Sequence, residues 1–502
     1  MIMKIYEYIY IYIYMSSIKI KNGSRSEKNG WINITVKGNP YERGYANGYL
    51  VAPELKSMFR ILDFSLMDTY GFSREFFAEV IGELYGTKIK DNFPEFYEEI
   101  RGIKEGAAAR NVKLSMDDML MWNCSYSIPY IADYIPKLVV FNPKLNQKYG
   151  YLFAGSKLTD VEKIDYGMKI DKCTGFIAVG DYTKDGKIVC AHNTFDFFVE
   201  AQHCNIVIEI KPTKGHSFIM QSPPGHIASG TDYFVNSNGL ICTETTLGGF
   251  NVFELDDPIC CRIRNVVQYA NTLDDCVEML KKNNGGDYAN SWLFGDTKSN
   301  TIMRVELGLK YVKVEKKKNG YFVGFNGPTD DRIRNLESKN TGFDDIRRHQ
   351  GARRVRLTQL MKLYKGKIDI DIGQRILADH YDVYLNKINP SSRTCCSHYE
   401  LDNREYMSQS DRPKPYQPLG ALDGIVTDTT LAKKMGFSAR WGSSCGMPFS
   451  ATDFIRAHPQ WDHLEPYMPD RPSQPWTTFT GNAKKSKTTP RNKKSNKSTR
   501  RK

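Results

Sequence analysis

An α+β layered fold is what this sequence predicts, and three observations carry the prediction. Helical periodicity fills residues 41–122; short, β-branched, turn-bounded runs dominate from residue 173 onward; and the later helical patterns, near 259–271, 274–282, 351–364 and 373–380, do not alternate regularly with the strands. Strands in hairpin-like succession with helices grouped apart build layers of sheet and helix rather than a doubly wound parallel sheet. The 502 residues hold ample apolar material for one large domain or two.

Residues 1–30 read as a low-complexity N-terminal extension. MIMKIYEYIYIYIYM alternates Ile and Tyr, without the contiguous apolar stretch and small-residue cleavage site of a secretion signal. It is too short to span a bilayer, so Met15 is a candidate working start and the compartment is left open. Residues 31–172 read as a mainly helical segment. Within it Phe96, Ile100 and Ile103 stand at i, i+4 and i+7, the spacing of one helix face. Ser115-Met-Asp-Asp has the form of a capping box that starts the next helix. Residues 140–172 are polar, with Gly and Lys, and are expected to be an exposed linker. From 173 to 482 the strands expected are 205–211, 216–220, 239–243, 301–306 and 311–315.

The formal charge of +13 is concentrated in one place. Residues 483–502 carry ten Lys or Arg and no acid, whereas the rest of the chain has sixty basic and fifty-seven acidic side chains. Such a tail is too polar to bury anything and is expected to be disordered. It suits weak contact with a polyanion or a membrane surface, or a purely solubilising end. No fold for sequence-specific nucleic-acid recognition is visible. Eleven cysteines show no CxxC pair, and the neighbours Cys260-Cys261 and Cys395-Cys396 have neither zinc-ribbon nor disulfide-scaffold spacing. Neither a metal site nor a cofactor is therefore expected. Their odd number leaves at least one thiol free. Asn33-Ile-Thr and Asn123-Cys-Ser have the form of glycosylation sequons.

The chemistry is concentrated in Cys173-Thr-Gly-Phe-Ile-Ala-Val-Gly180 and Lys187-Ile-Val-Cys-Ala-His-Asn-Thr-Phe-Asp196, with Asp185-Gly186 between them. Asp-Gly between apolar runs signals a tight hairpin, which returns His192 and Asn193 to the cysteine's end. A thiolate is a nucleophile when a base and a pKa-lowering neighbour accompany it. The competing reading is a buried structural cysteine on an ordinary hairpin.

Cys173-Thr-Gly-Phe-Ile-Ala and Ala191-His-Asn-Thr-Phe resemble the start of the catalytic chain of the phospholipase B-like family. They are also similar to the related acyltransferases and amidases that cut themselves to expose an N-terminal cysteine. Further matches follow in the family's order: Gly239-Leu-Ile-Cys-Thr-Glu-Thr-Thr, Tyr288-Ala-Asn-Ser-Trp-Leu-Phe-Gly-Asp296, Gly324-Phe-Asn-Gly-Pro328, Ser392-Arg-Thr-Cys-Cys-Ser-His398 and Gly420-Ala-Leu-Asp-Gly-Ile-Val-Thr427. Upstream, Gly38-Asn-Pro-Tyr-Glu-Arg-Gly-Tyr-Ala-Asn-Gly48 resembles the family's opening segment, so the likeness covers roughly residues 31–465.

The resemblance implies the four-layer αββα sandwich of N-terminal-nucleophile hydrolases. It implies cleavage between Lys172 and Cys173, after which the α-amine, with a pKa of about 7.7–8.0, serves as general base for its own thiol. His192 then falls at the family's pocket histidine, placed to polarise the thiol or orient a carbonyl. Asn290 matches the pocket asparagine and an oxyanion donor, and Thr245, or else Thr246, matches the pocket threonine. Asn193 and Asp196 are secondary candidates, Asp196 as a holder of the α-ammonium, and Arg393 is a candidate for an anionic group or for pairing with surface carboxylates. The implied activity is removal of acyl chains from glycerophospholipids through an acyl-thioester at Cys173. An amidase or acyltransferase using the same residues on N-acyl compounds is the alternative, and a non-catalytic binding protein with a working basic tail is a third reading. Members of the family are commonly secreted or lysosomal.

Overall fold

A computed structural model describes residues 17–154, 173–230, 233–339, 342–403 and 415–481. The Ile-Tyr start, Lys172 with the second half of the expected linker, and the basic tail lie outside the described residues.

Two sheets form the centre. The larger has ten described strands in the order Ile18–Ile20, Gly23–Lys28, Trp31–Gly38, Ile206–Pro212, Phe218–Ser222, Phe234–Asn236, Leu240–Thr246, Asn290–Asp296, Thr301–Leu307 and Val312–Lys317. Trp31–Gly38 runs parallel to Ile206–Pro212, and the other neighbours are antiparallel. The smaller sheet follows the order Gly320–Gly324, Cys173–Gly180, Gly186–Phe197, Asp423–Asp428, Gly436–Trp441 and Thr477–Thr480, with Leu419–Ala421 paired to Gly186–Phe197 as well.

Side chains alternate along a strand, and the alternation here assigns every layer. Ile177, Val179, Ile188 and Cys190 of the smaller sheet pack against Val207, Ile219, Ile241 and Leu293 of the larger, closing the space between the sheets. Their sequence neighbours face outward. Ile206, Ile208, Trp292 and Phe294 meet the helices Pro40–Leu50, Ala52–Tyr70, Arg74–Asn92, Pro94–Ala108 and Ile259–Tyr269. Phe176, Ala178, Val189 and Val426 meet His349–Leu363 and Ile370–Leu377. The result is helix, sheet, sheet, helix: the αββα sandwich that the resemblance implied. Among the described residues no helix is long and apolar enough to cross a membrane.

Several local expectations are met for the stated reasons. Phe96, Ile100 and Ile103 are buried along Pro94–Ala108. Ser115 accepts from the Asp118 backbone while the Asp118 carboxylate accepts from the Ser115 backbone, starting the helix Met116–Asn123. Two boundaries need correction. The fold begins before residue 31, because Gly23–Lys28 (GSRSEK) is already a strand of the larger sheet. Its polar sequence hides this: Arg25 is buried by pairing with Glu54 at 2.8 Å and donating to the Leu50 carbonyl at 2.8 Å. Likewise the first part of the expected linker is helical, as Ile135–Phe141, Pro143–Tyr149 and Gly150–Phe153. Asn142 caps the middle one by accepting from Lys144 and Leu145, and Leu145 and Phe153 supply the buried contacts.

The helices Pro40–Leu50 and Pro94–Ala108 pack backbone to backbone. A Cβ on Gly44 would stand 2.1 Å from the Glu99 carbonyl oxygen, and one on Gly106 the same distance from that of Tyr45. Glu99 meets the guanidinium groups of Arg43 and Arg264 at this buried seam, at 2.6 and 2.9 Å. The asparagine of the second sequon, Asn123, is also buried, donating to the Met119 and Gly225 carbonyls and accepting from Ile227, so the folded chain offers no free amide there.

Candidate active site

Gly186, at φ 73°, turns the hairpin between Cys173–Gly180 and Gly186–Phe197. The register sets Cys173 opposite Thr194, Thr174 opposite Asn193 and Gly175 opposite His192. By the two-residue period, Cys173, Gly175 and His192 face the layer between the sheets, as do Ile177 and Cys190. Thr245 approaches from the other sheet: a Cβ on Gly175 would lie 3.5 Å from His192 Cδ2 and 3.8 Å from Thr245 Cγ2. A Cβ on Gly324 would lie only 2.5 Å from the same methyl, so that position needs glycine to admit the threonine. Cys173, His192 and Thr245 thus converge at one end of the inter-sheet layer. His192 is completely buried. Burial, opposed by hydrogen bonding to the Glu244 backbone, pushes its pKa down to about 3, so the ring is neutral at physiological pH.

Asn326 and Arg353 hold the backbone of Cys173. The Cys173 N–H donates to Asn326 Oδ1 at 3.2 Å. Arg353, fully buried on His349–Leu363, donates from Nη1 to the Cys173 carbonyl and to Thr174 Oγ1 (3.1 Å), and from Nη2 to Asn326 Oδ1 (2.9 Å). Asn326 Nδ2 donates to the Thr246 carbonyl at 2.8 Å, joining the anchor to the larger sheet. Asn326 has φ 66°, a left-handed conformation that asparagine tolerates better than most residues. That conformation is foreshadowed by Asn-Gly-Pro directly after a strand, although the side chain's role is not. Arg353 has no signal at all, since Arg353-Arg354 on a basic helix reads as a solvated face.

Other candidates are displaced. Asn290 shares the outer face of its strand with Trp292, toward the helical layer. With its amide oriented to satisfy both ends, it donates to the Ala289 carbonyl at 2.8 Å and to Glu244 Oε2 at 2.9 Å. Glu244 also accepts from Tyr288, whose hydroxyl accepts from Thr246. The strand's alternation therefore sets Asn290 on the helical face, and the asparagine bonded to Cys173 is Asn326. Asn193 likewise faces outward, donating to the Leu377 and Cys395 carbonyls at 2.9 and 3.0 Å. Arg393 is buried and paired with buried Asp382, so it meets neither a ligand nor a surface carboxylate.

A mostly apolar cleft of about 980 Å³, open solvent at its mouth included, is lined by Asp196 and Thr246, though by none of Cys173, His192, Thr245 and Asn326. Leu62, Leu66, Trp122 and Tyr126 of the N-terminal helices form one wall, and Asp196, Thr246 and Tyr288 belong to the sheet side. On the strand beside that of Cys173, Thr194 donates its N–H to Asp423 at 2.9 Å, and Asp423 also accepts from Gln221 at 2.8 Å. Burial pushes its carboxyl up to about 6 despite those bonds.

A cysteine thus opens a strand of an αββα sandwich, with its backbone nitrogen held by a buried amide. The phospholipase B family model matches residues 88–471, and the chain belongs to that family. An uncharacterized protein of Archaeoglobus fulgidus is 27% identical over 280 residues, 54% of this chain and 42% of that protein. Putative phospholipase B-like 2 of Rattus norvegicus is 25% identical over 288 residues, covering 51% of this chain and 46% of the relative. Phospholipase B of Crotalus adamanteus is 25% identical over 308 residues, covering 55% and 52%. The matched regions span about half the length of these curated relatives. A variant of the conjugated bile acid hydrolase from Clostridium perfringens superposes with a TM-score of 0.35 at 13% identity, over 54% of this chain and 89% of that one.

Proposed function

We propose that this protein is a self-processing hydrolase that uses Cys173 to remove acyl chains from glycerophospholipids. The observation that carries the reading is the hydrogen bond from the Cys173 nitrogen to Asn326 Oδ1, with Arg353 gripping the carbonyl of the same residue. Once the Lys172–Cys173 bond is cut, that nitrogen is an α-amine with a pKa of about 7.7–8.0, fixed beside its own thiol. It takes the thiol proton, and the sulfur attacks the ester carbonyl carbon. Asn326 Nδ2 has two hydrogens and gives one to Thr246; the other is available to the oxyanion of the tetrahedral intermediate. Collapse breaks the ester C–O bond, and the α-ammonium returns its proton to the leaving alkoxide. Water, deprotonated by the same amine, then attacks the acyl-thioester and frees the fatty acid and the thiol.

His192 serves this scheme as a neutral positioning group, because its depressed pKa withholds a proton at neutral pH. The guanidinium of Arg353 favours the thiolate electrostatically. The neighbouring apolar cleft suits an acyl chain, and Asp196 at its wall suits the α-ammonium.

Intact-mass and N-terminal analysis of the purified protein tests the reading. Wild type is expected as two associated fragments, the second beginning at Cys173, and Cys173→Ala as one uncut chain without hydrolase activity. An alanine variant cut at the same bond sinks self-processing. Turnover of N-acyl amides but not of phospholipids in a substrate panel would move the assignment to the amidase reading.

A further inference from the structure

We infer that the protein carries a structural zinc site of two cysteines and two histidines, made of His380, Cys396, His398 and Cys445. One ligand atom from each lies within 4.8 Å of those of the other three. The four come from three stretches that are remote in sequence. His380 follows the helix Ile370–Leu377, Cys396 and His398 lie in the segment before the short helix Tyr399–Leu401, and Cys445 follows the strand Gly436–Trp441. No CxxC-type spacing announces them, which is why sequence reading finds no metal site.

The spacings from His398 to both sulfurs fit a tetrahedral centre. Zinc binds thiolate at about 2.3 Å and imidazole at about 2.0–2.1 Å, which at the tetrahedral angle sets sulfur and nitrogen about 3.6 Å apart. His398 Nε2 stands 3.4 Å from Cys396 Sγ and 3.5 Å from Cys445 Sγ. The His380 ring lies edge-on to that of His398 at 5.0 Å between centroids.

The surroundings are those of a metal site as well. His398 Nδ1 meets Glu400 Oε1 at 2.7 Å, the carboxylate–histidine pairing that fixes a ligand's tautomer and turns its other nitrogen to the metal. Cys445 Sγ accepts from the Met447 N–H at 3.3 Å and lies 3.1 Å from Ser443 Oγ, contacts that suit a thiolate. Two soft sulfurs with two imidazoles and no carboxylate select zinc over magnesium or calcium. Four protein ligands leave no open position, so the role is structural.

The site clasps the loops behind the catalytic hairpin. Asn193, next to His192, donates to the carbonyl of Cys395 and to that of Leu377, and Ser444, next to Cys445, donates to the same Leu377 carbonyl. Metal binding would thus brace the strand that carries His192 without touching substrate. The inference stands apart from the catalytic reading above.

The test is metal analysis of the full-length protein, purified without chelator and then supplied with zinc and desalted. One zinc per chain is expected, released by a thiol-reactive mercurial, with cobalt substitution giving the thiolate charge-transfer and d–d bands of a tetrahedral centre. Cys445→Ser, at the half-exposed edge of the cluster, should lose most of the zinc and melt at a lower temperature. Should that variant not fold, the wild-type stoichiometry and cobalt spectrum still decide. A wild-type protein that binds no zinc, one whose non-reduced peptide map shows Cys396 and Cys445 joined as a disulfide, or a Cys445→Ser variant that keeps full zinc would each overturn the site.

Discussion

Replacing Asn326 separates the observed site from the one first expected around Asn290. Its side chain makes three hydrogen bonds: from Cys173 N–H at 3.2 Å, from Arg353 Nη2 at 2.9 Å, and to the Thr246 carbonyl at 2.8 Å. Counting about 1 kcal/mol for each neutral bond and about 2 for the charge-assisted one, Asn326→Ala forfeits about 4 kcal/mol. Its φ of 66° adds about 1–2 kcal/mol for a residue with a Cβ and no local polar bond. Asn326→Gly avoids that second cost, so the glycine variant should be the more stable of the two. Asn326→Asp is the sharper probe, since it keeps the oxygen that receives Cys173 and Arg353 but removes both amide hydrogens. Urea unfolding should find the aspartate variant less destabilised than alanine, while ester turnover falls by about 100-fold or more, as for other lost oxyanion donors. Asn290→Ala should stay within a few-fold of wild-type turnover, because its amide serves Glu244 and Ala289. Wild-type turnover in Asn326→Asp, or a 100-fold loss in Asn290→Ala alone, would refute this placement of the site.

Arg353→Lys should cut kcat about ten- to a hundred-fold with little change in KM, because one ammonium cannot reproduce the fork across Cys173, Thr174 and Asn326; unchanged kcat in a folded variant would contradict it. Asp423 supplies a pH signature. Its folded pKa of about 6 lies above the ordinary 3.8, so its contribution to stability is full below about pH 3.8 and is lost as pH rises through 6. Between pH 4 and 7, wild type should lose about 2.4 kcal/mol that Asp423→Asn does not lose, from a shift of about two pKa units; parallel stability curves for the two proteins would show that the carboxyl is not held protonated.

What sequence made legible was periodic or chemical. Asp185-Gly186 declared its hairpin because the backbone demands a positive φ there, and Ser115 declared a helix start because its hydroxyl and the Asp118 carboxylate satisfy each other's backbone. Alternation could not reveal Gly23–Lys28, whose inward residue is an arginine neutralised by Glu54 from a helix 29 positions away. The anchor of the site was hidden for a similar reason: Asn326 and Arg353 matter through hydrogen bonds to a residue some 150 or more positions distant. Asn290, bonded to Glu244 and Ala289 on the helical face, shows the converse. A motif can place a residue on the right strand, yet a one-residue step along it chooses the opposite face.

The parallel pairing of Trp31–Gly38 with Ile206–Pro212 bears on the history of each molecule. Residues on both sides of position 172 share the larger sheet and its outer core, so neither piece of a cut chain holds that sheet complete. Folding would precede cutting, while the connection still holds the two parts at high local concentration. A cut chain that later unfolds must find its other half by diffusion. If cut as proposed, the protein would be assembled as one polymer and thereafter persist as two, with its lifetime governed by how slowly it opens rather than by how well it re-forms.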